Sequence, residues 1–188
     1  MDKPVANAAP ASEIKKVAVL GSGVMGSAIA AHVANAGIPV ALLDLPAEGE
    51  DRNAISNGAI TRMKKTDPAP FMASEAAKLI TTGNFDDDLD LLGDADWICE
   101  AIVEKLDIKH ALYRRIDPVR KPGGIVSSNT STIPLHRLVE GQSDAFAADF
   151  LITHFFNPPR YMRLLEIIAS EVTRPALRDR IAAFNNLL

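Results

Sequence analysis

The sequence lacks several features that would assign it to a specialised class of protein. Its 188 residues include one cysteine, Cys99, so no internal disulfide can form. No apolar run approaches the ~18 residues that a membrane-spanning helix needs. The net charge of −4 argues against a broad nucleic-acid surface, because such a surface requires clustered Lys and Arg. With 47% hydrophobic and 23% charged residues, the composition is that of an ordinary globular protein.

Metal ligands and targeting signals are also scarce. The histidines are widely separated in the sequence and no second cysteine is present, so we expect no metal site. The run Asp86 to Asp88 is interpreted as a solvated helix start rather than a cation site. The first dozen residues carry neither the apolar block of a signal peptide nor the arginines of a transit peptide. We therefore expect a flexible tail at residues 1–13 and a cytoplasmic location.

The rest of the chain alternates between short apolar runs and segments with helical spacing. Near-continuous apolar runs are typical of parallel strands that are covered on both faces. They predict strands at 16–20, 39–45, 79–82, 96–101, 125–128, 150–156 and 164–169. Helices are predicted at 22–36, 53–65, 104–116, 132–141 and 175–188. This alternation predicts one α/β domain over residues 14–188, with a doubly wound, Rossmann-like, mostly parallel sheet and helices on both faces.

A glycine-rich turn after the first predicted strand is the strongest local signal. Gly21 permits a tight turn, Gly23 lets a pyrophosphate approach the backbone, and Gly26 lets the following helix pack closely. Asp44, 21 residues after Gly23, can accept hydrogen bonds from ribose hydroxyls, and its charge disfavours a 2′-phosphate. The pattern predicts NAD binding, and the alternative is a glycine turn without a ligand. The predicted cofactor turn consists of Gly21, Ser22, Gly23, Val24, Met25 and Gly26.

A polar segment, Ser127 to Ser131, follows a later predicted strand. Open parallel sheets bind ligands at the carboxyl ends of their strands, so these side chains are candidates for a binding site. The alternative is a polar turn in which Ser131 or Thr132 caps the next helix. Two of the hydroxyls could serve both purposes.

His154 and Glu166 lie on the last two predicted strands, 12 residues apart, with Pro158 and Pro159 in the turn between them. A hairpin-like return would bring the two side chains together. Apolar neighbours predict that Glu166 is at least partly buried, and a buried carboxylate needs a partner such as an imidazole N–H. This contact would hold the ring in one tautomer, as a general base for an alcohol requires. The alternative is a core histidine beside a structural glutamate.

Together, these motifs resemble the NAD-binding domain of the L-3-hydroxyacyl-CoA dehydrogenase family, from about Ile14 onward. The resemblance rests on the glycine turn, on Asp44 and on three segments: EAIVEKLDIK at 100–109, SSNTS at 127–131, and HFFNPP at 154–159 followed by LLEII. The continuation HFFNPPRY and the segment TDPAPF are most similar to large members that join this dehydrogenase to an enoyl-CoA hydratase module.

The resemblance implies a role for each matching residue. His154 would be the catalytic base, Glu166 its orienting partner, and Ser131 the hydrogen-bond donor to the substrate oxygen. The reaction would be oxidation of an L-3-hydroxyacyl-CoA to a 3-ketoacyl-CoA with NAD⁺ in fatty-acid β-oxidation. Cofactor contacts would come from the glycine turn, Asp44, Ala101, Glu104, Lys109, Ser131 and Asn157.

The chain departs from the family pattern in two ways. The family's catalytic asparagine and its helical C-terminal domain would lie beyond Leu188, and that domain supplies much of the acyl-CoA site and the dimer contacts. We therefore expect a poorly active piece of a longer homo-oligomeric protein. The Ser-and-Lys pattern that contacts CoA in short members is not clear between Asn53 and Lys65. Lys64 and Lys65 are candidates for that contact, and the alternative is a favourable interaction with the helix dipole.

Two other functions remain open. One is a related β-hydroxy acid dehydrogenase that acts on a free acid. Those enzymes use a lysine from the helical domain, and the His154–Glu166 pair argues against them. The other is an NAD-binding module that has lost its activity, against which Ser131, His154 and Glu166 all argue.

Overall fold

The computed structural model describes residues 14–188, so the predicted tail at 1–13 lies outside the described range. One sheet contains the strands Val17–Leu20 (β1), Val40–Asp44 (β2), Ile80–Asn84 (β3), Trp97–Glu100 (β4), Ile125–Ser128 (β5), Phe150–Phe155 (β6) and Leu165–Ile168 (β7). The α-helices are Val24–Asn35 (α1), Ala54–Met63 (α2), Leu106–Ile116 (α3), Leu135–Val139 (α4), Asp144–Ala148 (α5) and Pro175–Asn185 (α6). Short 3₁₀ helices span Ser74–Leu79 and Leu89–Leu92.

The seven strands are ordered β3-β2-β1-β4-β5-β6-β7. Every neighbouring pair is parallel except β6 and β7, which are antiparallel. The connection from β3 to β4 carries the chain from one half of the sheet to the other, so the switch point lies between the neighbouring strands β1 and β4. Such a switch point opens a crevice at the carboxyl ends of the strands. The predicted doubly wound, Rossmann-like fold is confirmed.

Apolar layers cover both faces of the sheet, and β1 contributes to both. Val17 and Val19 belong to a core formed with α1 and α6, whereas Ala18 and Leu20 belong to a core formed with α3, α4 and α5. All four side chains are fully buried. Because both faces are covered, the strands are continuous apolar runs rather than alternating ones.

Several predicted element boundaries were wrong for local reasons. Helix α1 begins at Val24 rather than Ser22, because the glycine turn occupies the two preceding residues. Helix α3 begins at Leu106, so Glu104 lies in the preceding loop. The helix predicted at 132–141 is the shorter α4, and a further helix that was not predicted, α5, follows it. The Ser143 hydroxyl caps α5 by accepting a hydrogen bond from the Phe146 N–H.

The acidic run after β3 directly precedes the 3₁₀ helix Leu89–Leu92, as predicted, but its carboxylates have protein partners as well as solvent. Asp88 accepts a hydrogen bond from the Asn84 N–H at 2.8 Å, and Asp86 and Asp87 form ion pairs with arginines. Within residues 14–188, no group of three His, Cys, Asp or Glu side chains could hold a metal ion. None of the helices between Ile14 and Leu188 has the length and apolar character that crossing a membrane requires.

Two side chains outside the cleft are shielded from solvent to different degrees. Cys99 is fully buried, and burial raises the pKa of its thiol to about 12. His32 is half-buried on α1, edge-on to the Phe155 ring. Burial, together with the charge of Arg160, lowers the pKa of this imidazole.

Candidate functional site

A cleft of about 820 Å³ opens at the carboxyl ends of the central strands. Its wall is largely apolar, with a few polar groups converging on it, which is typical of a small-molecule or cofactor site. The predicted site residues that line it are Gly21, Gly23, Val24, Met25, Asp44, Ala101, Glu104, Lys109, Ser131, His154 and Asn157.

The three glycines of the turn have distinct structural roles. Gly21 has a positive φ of +97° and a Cβ there would lie 2.8 Å from the Ala101 carbonyl oxygen. A Cβ at Gly26 would lie 1.8 Å from the Gly21 carbonyl oxygen, so Gly26 is required by the turn itself as well as by packing against the sheet. A Cβ at Gly23 would meet nothing within 4 Å. Gly23 therefore leaves an open surface in the cleft at the start of α1.

Asp44 connects the end of β2 to the glycine turn. Its Oδ2 accepts hydrogen bonds from the Ser22 N–H at 2.5 Å and from the Ser22 hydroxyl at 2.6 Å, while its Oδ1 accepts one from the Leu45 N–H at 2.7 Å. The carboxylate is partly exposed at the rim of the cleft. A helix N-terminus with orphan N–H groups, an open glycine surface and a carboxylate at the next strand end together fit a dinucleotide.

A buried network that sequence reasoning missed lies behind the cleft wall. The Glu100 carboxylate, fully buried at the end of β4, accepts four hydrogen bonds. Its donors are the Lys109 ammonium at 2.6 Å, the Tyr113 hydroxyl at 2.6 Å, the Ser128 hydroxyl at 2.7 Å and the Ile102 N–H at 2.8 Å. These four bonds match the lone-pair capacity of a carboxylate, so the buried charge is well satisfied. Burial and the Glu100 charge raise the pKa of the Tyr113 hydroxyl.

Lys109 extends the network to Glu104, which lines the cleft. The Lys109 side chain is 1% exposed, and its ammonium lies 3.2 Å from Glu104 Oε2. Glu104 Oε1 accepts hydrogen bonds from the hydroxyls of Thr130 and Thr132. Burial opposes ionisation of Glu104, but the hydrogen bond from Thr130 and the charge of Lys109 outweigh it and lower the pKa of this carboxyl. The network thus joins the loops after β4 and β5.

The polar segment after β5 is held from both ends. Thr130, rather than Ser131 or Thr132, accepts hydrogen bonds from the N–H groups that follow, those of Thr132 at 3.3 Å and Ile133 at 3.0 Å. Asn129 Oδ1 accepts a hydrogen bond from the Phe155 N–H at 2.9 Å, which ties the segment to β6. Ser131 is exposed and lines the cleft. Its hydroxyl is therefore available to a ligand.

His154 and Glu166 are brought together as the sequence predicted. They are directly opposite in the antiparallel pair β6–β7, and His154 Nδ1 lies 2.8 Å from Glu166 Oε2. The His154 side chain is 19% exposed and lines the cleft. The expectation that Glu166 is at least partly buried was wrong in degree, since its side chain is 51% exposed. The reason is that β7 is the edge strand of the sheet.

The two candidate CoA-binding lysines are not near this cleft wall. Lys64 and Lys65 are exposed just after the end of α2, and neither lines the cleft. Arg62 on the same helix does reach the glycine turn, because its Nη2 donates to the Ser22 carbonyl oxygen at 3.1 Å. The sequence offered no means of distinguishing Arg62 from the two lysines.

Fold and cleft together define a Rossmann-like domain of the dinucleotide-binding class, with a histidine–carboxylate pair at its crevice. Residues 16–187 match the family model described as "3-hydroxyacyl-CoA dehydrogenase, NAD binding domain". The chain belongs to this family, and the cofactor of the family is NAD.

Relatives of known sequence are similar over most of this chain but are much longer. A protein of Deinococcus radiodurans named "Probable 3-hydroxyacyl-CoA dehydrogenase" is 51% identical over 173 residues, which are 92% of this chain and 50% of the relative. The "Fatty acid oxidation complex subunit alpha" of a Psychrobacter species is 34% identical, over 86% of this chain and 22% of the relative. The chain thus spans half or less of the length of these relatives.

A solved structure gives the same result. The 3-hydroxybutyryl-CoA dehydrogenase of Escherichia coli is similar with a TM-score of 0.77 and 26% sequence identity. The match covers 93% of this chain and 36% of that chain.

Proposed function

We propose that this chain is the cofactor-binding part of an enzyme that oxidises an L-3-hydroxyacyl-CoA to a 3-ketoacyl-CoA in fatty-acid oxidation. The observation that carries the proposal is the 2.8 Å contact of His154 with Glu166, in the same cleft as the glycine turn. A histidine oriented by a carboxylate beside a dinucleotide site is suited to remove a proton from an alcohol. The names of the relatives support the proposed substrate class.

The two nitrogens of His154 have different roles in this proposal. With Nδ1 donating its proton to Glu166, the ring is held in the tautomer in which Nε2 is an acceptor. Nε2 takes the proton of the substrate hydroxyl, and the Ser131 hydroxyl donates a hydrogen bond to the same substrate oxygen. Bound NAD⁺ supplies the hydride acceptor.

The remaining predicted residues bind and orient the cofactor. Gly23 and the N-terminus of α1 receive the pyrophosphate, and Asp44 accepts the ribose hydroxyls. Ala101, Glu104, Lys109 and Asn157 form the wall on which the rest of the cofactor lies. A contact of Lys64 or Lys65 with CoA, a homo-oligomeric state and a cytoplasmic location remain predictions from the sequence.

The binding part of this proposal is tested by titrating the 188-residue chain with NADH and following the nucleotide fluorescence. We expect saturable binding. The chemical part is tested by single-turnover oxidation of NADH with acetoacetyl-CoA, monitored by absorbance, with the protein in excess. Because these 188 residues span half or less of the length of the relatives, we expect slow turnover. Near-normal turnover would contradict that expectation.

His154→Gln is the informative variant, and His136→Gln is a matched control because His136 is exposed on α4. We expect His154→Gln to reduce single-turnover rates by roughly 10²–10⁴-fold, as loss of a general base does, without weakening NADH binding. His136→Gln should change neither property. Unchanged turnover in His154→Gln would favour an NAD-binding module without this activity. Faster reaction with free 3-oxobutanoate than with acetoacetyl-CoA would favour a free-acid dehydrogenase.

A further inference from the structure

The cleft ends at Asp44 in a strongly acidic surface. Between Asp44 and helix α2, residues 45–53 contain the acidic side chains Glu48, Glu50 and Asp51 and a single cation, Arg52. The neighbouring strand β3 is followed by further carboxylates, including those of Asp86 and Asp87. The sole basic side chain of this loop is therefore surrounded by negative charge.

The Arg52 guanidinium is held by these carboxylates in a fork-like contact. Its Nε lies 2.6 Å from Asp87 Oδ2, and its Nη2 lies 3.2 Å from Asp87 Oδ1. Asp86 Oδ2 is 3.7 Å from the same Nη2. Asp87 is fixed in turn by the Asn84 side-chain amide at 2.9 Å. The hydrogen bonds from Arg52 and Asn84 lower the pKa of the Asp87 carboxyl, so this acceptor stays ionised.

Arg52 and Asp44 lie at the same end of the sheet, where β2 and β3 finish. The backbone carbonyl of Asp44 accepts from the Phe85 N–H at 2.9 Å, next to the two clamping carboxylates. The backbone carbonyl of Arg52 accepts from the Ala47 N–H at 2.9 Å, which folds the loop back towards the end of β2. In Rossmann domains, a carboxylate at this strand end selects NAD, and an arginine nearby accommodates the 2′-phosphate of NADP.

We propose that the Asp86–Asp87 clamp on Arg52 is a second specificity device for NAD over NADP. Asp44 repels the 2′-phosphate, and the clamp removes the one loop cation that could compensate for that charge. A guanidinium engaged on one edge by a carboxylate cannot present the same edge to a phosphate. The inference rests on the proposed cofactor site, because it concerns the ribose end of that site.

The test measures NADPH affinity by nucleotide fluorescence in an Asp44→Ser background. Adding Asp86→Asn and Asp87→Asn should release Arg52 and tighten NADPH binding by about tenfold, the scale of one charge-assisted Arg–phosphate contact. When Arg52→Ala is added as well, the gain from the two asparagines should fall to about twofold or less. In an Arg178→Ala background, which removes the same charge from an exposed side chain on α6, the tenfold gain should persist.

Each outcome decides between the alternatives. An equal gain with and without Arg52 would overturn the proposal, because it would mean that only the total acidic charge matters. No gain at all would also overturn it. Asp87→Asn alone, which keeps Asp86 paired with Arg115, provides the same comparison if the double change unfolds the protein. NADH binding by the unsubstituted chain is the reference, and its absence would instead refute the proposed cofactor site.

Discussion

Alanine substitutions at Gly23 and Gly26 should separate the structural and binding roles of the glycine turn. At Gly26 the new Cβ would lie 1.8 Å from the Gly21 carbonyl oxygen, a backbone atom that no side-chain rotation can move. Overpacking of this kind costs about 3 kcal/mol or more. Since each kcal/mol lowers Tm by roughly 2–4 °C in a domain of this size, Gly26→Ala should lower Tm by roughly 6–12 °C.

Gly23→Ala should behave in the opposite way. The new methyl group meets nothing within 4 Å and the backbone φ of −63° suits any residue, so Tm should change little. NADH affinity should fall by about tenfold or more, because the methyl group occupies the surface that a pyrophosphate must approach. Thermal unfolding and NADH fluorescence titration on both variants provide the measurement. Normal NADH affinity in Gly23→Ala, or an unchanged Tm in Gly26→Ala, would refute the reasoning.

Three further predictions concern buried and partly buried groups. Lys109→Met should lower the free energy of unfolding in urea by about 3–5 kcal/mol, because it leaves the buried Glu100 charge uncompensated. Adding Glu100→Gln to this variant should restore part of the lost stability. Cys99 should resist an aromatic disulfide reagent at pH 8 in the folded state, because a pKa of about 12 leaves about a thousandfold less thiolate than an ordinary cysteine has. The raised pKa of this thiol also stabilises the folded chain at neutral pH, and that stabilisation is lost as pH rises above 9.0. Glu104→Gln should lower Tm most near neutral pH, with the difference shrinking below pH 4.5, because a lowered carboxyl pKa stabilises the fold only while the group is ionised.

The features that could be predicted from the sequence are those that depend on residues close to one another in the chain. The doubly buried strands follow from continuous apolar runs, and the glycine turn follows from its spacing between a strand and a helix. The His154–Glu166 contact could also be predicted, because an antiparallel return fixes the pairing of residues on two consecutive strands.

The buried network around Glu100 could not be predicted in the same way. Its donors come from α3, from β5 and from the loop after β4, and only the tertiary fold brings them together. The sequence showed only that Glu100 ends an apolar strand, and this position does not indicate which side chains donate hydrogen bonds to it. The same holds for the Arg52 clamp, whose carboxylates lie about 35 residues away in the sequence.

The central claim is that His154, held by Glu166, faces a nicotinamide bound in the glycine-lined cleft. A crystal structure of this chain with NAD⁺ tests that claim most directly. The account predicts the pyrophosphate over Gly23, the adenosine ribose at Asp44 and the nicotinamide ring in contact with the His154 side chain. A dinucleotide bound elsewhere, or an imidazole turned out of the cleft and away from Glu166, would contradict it.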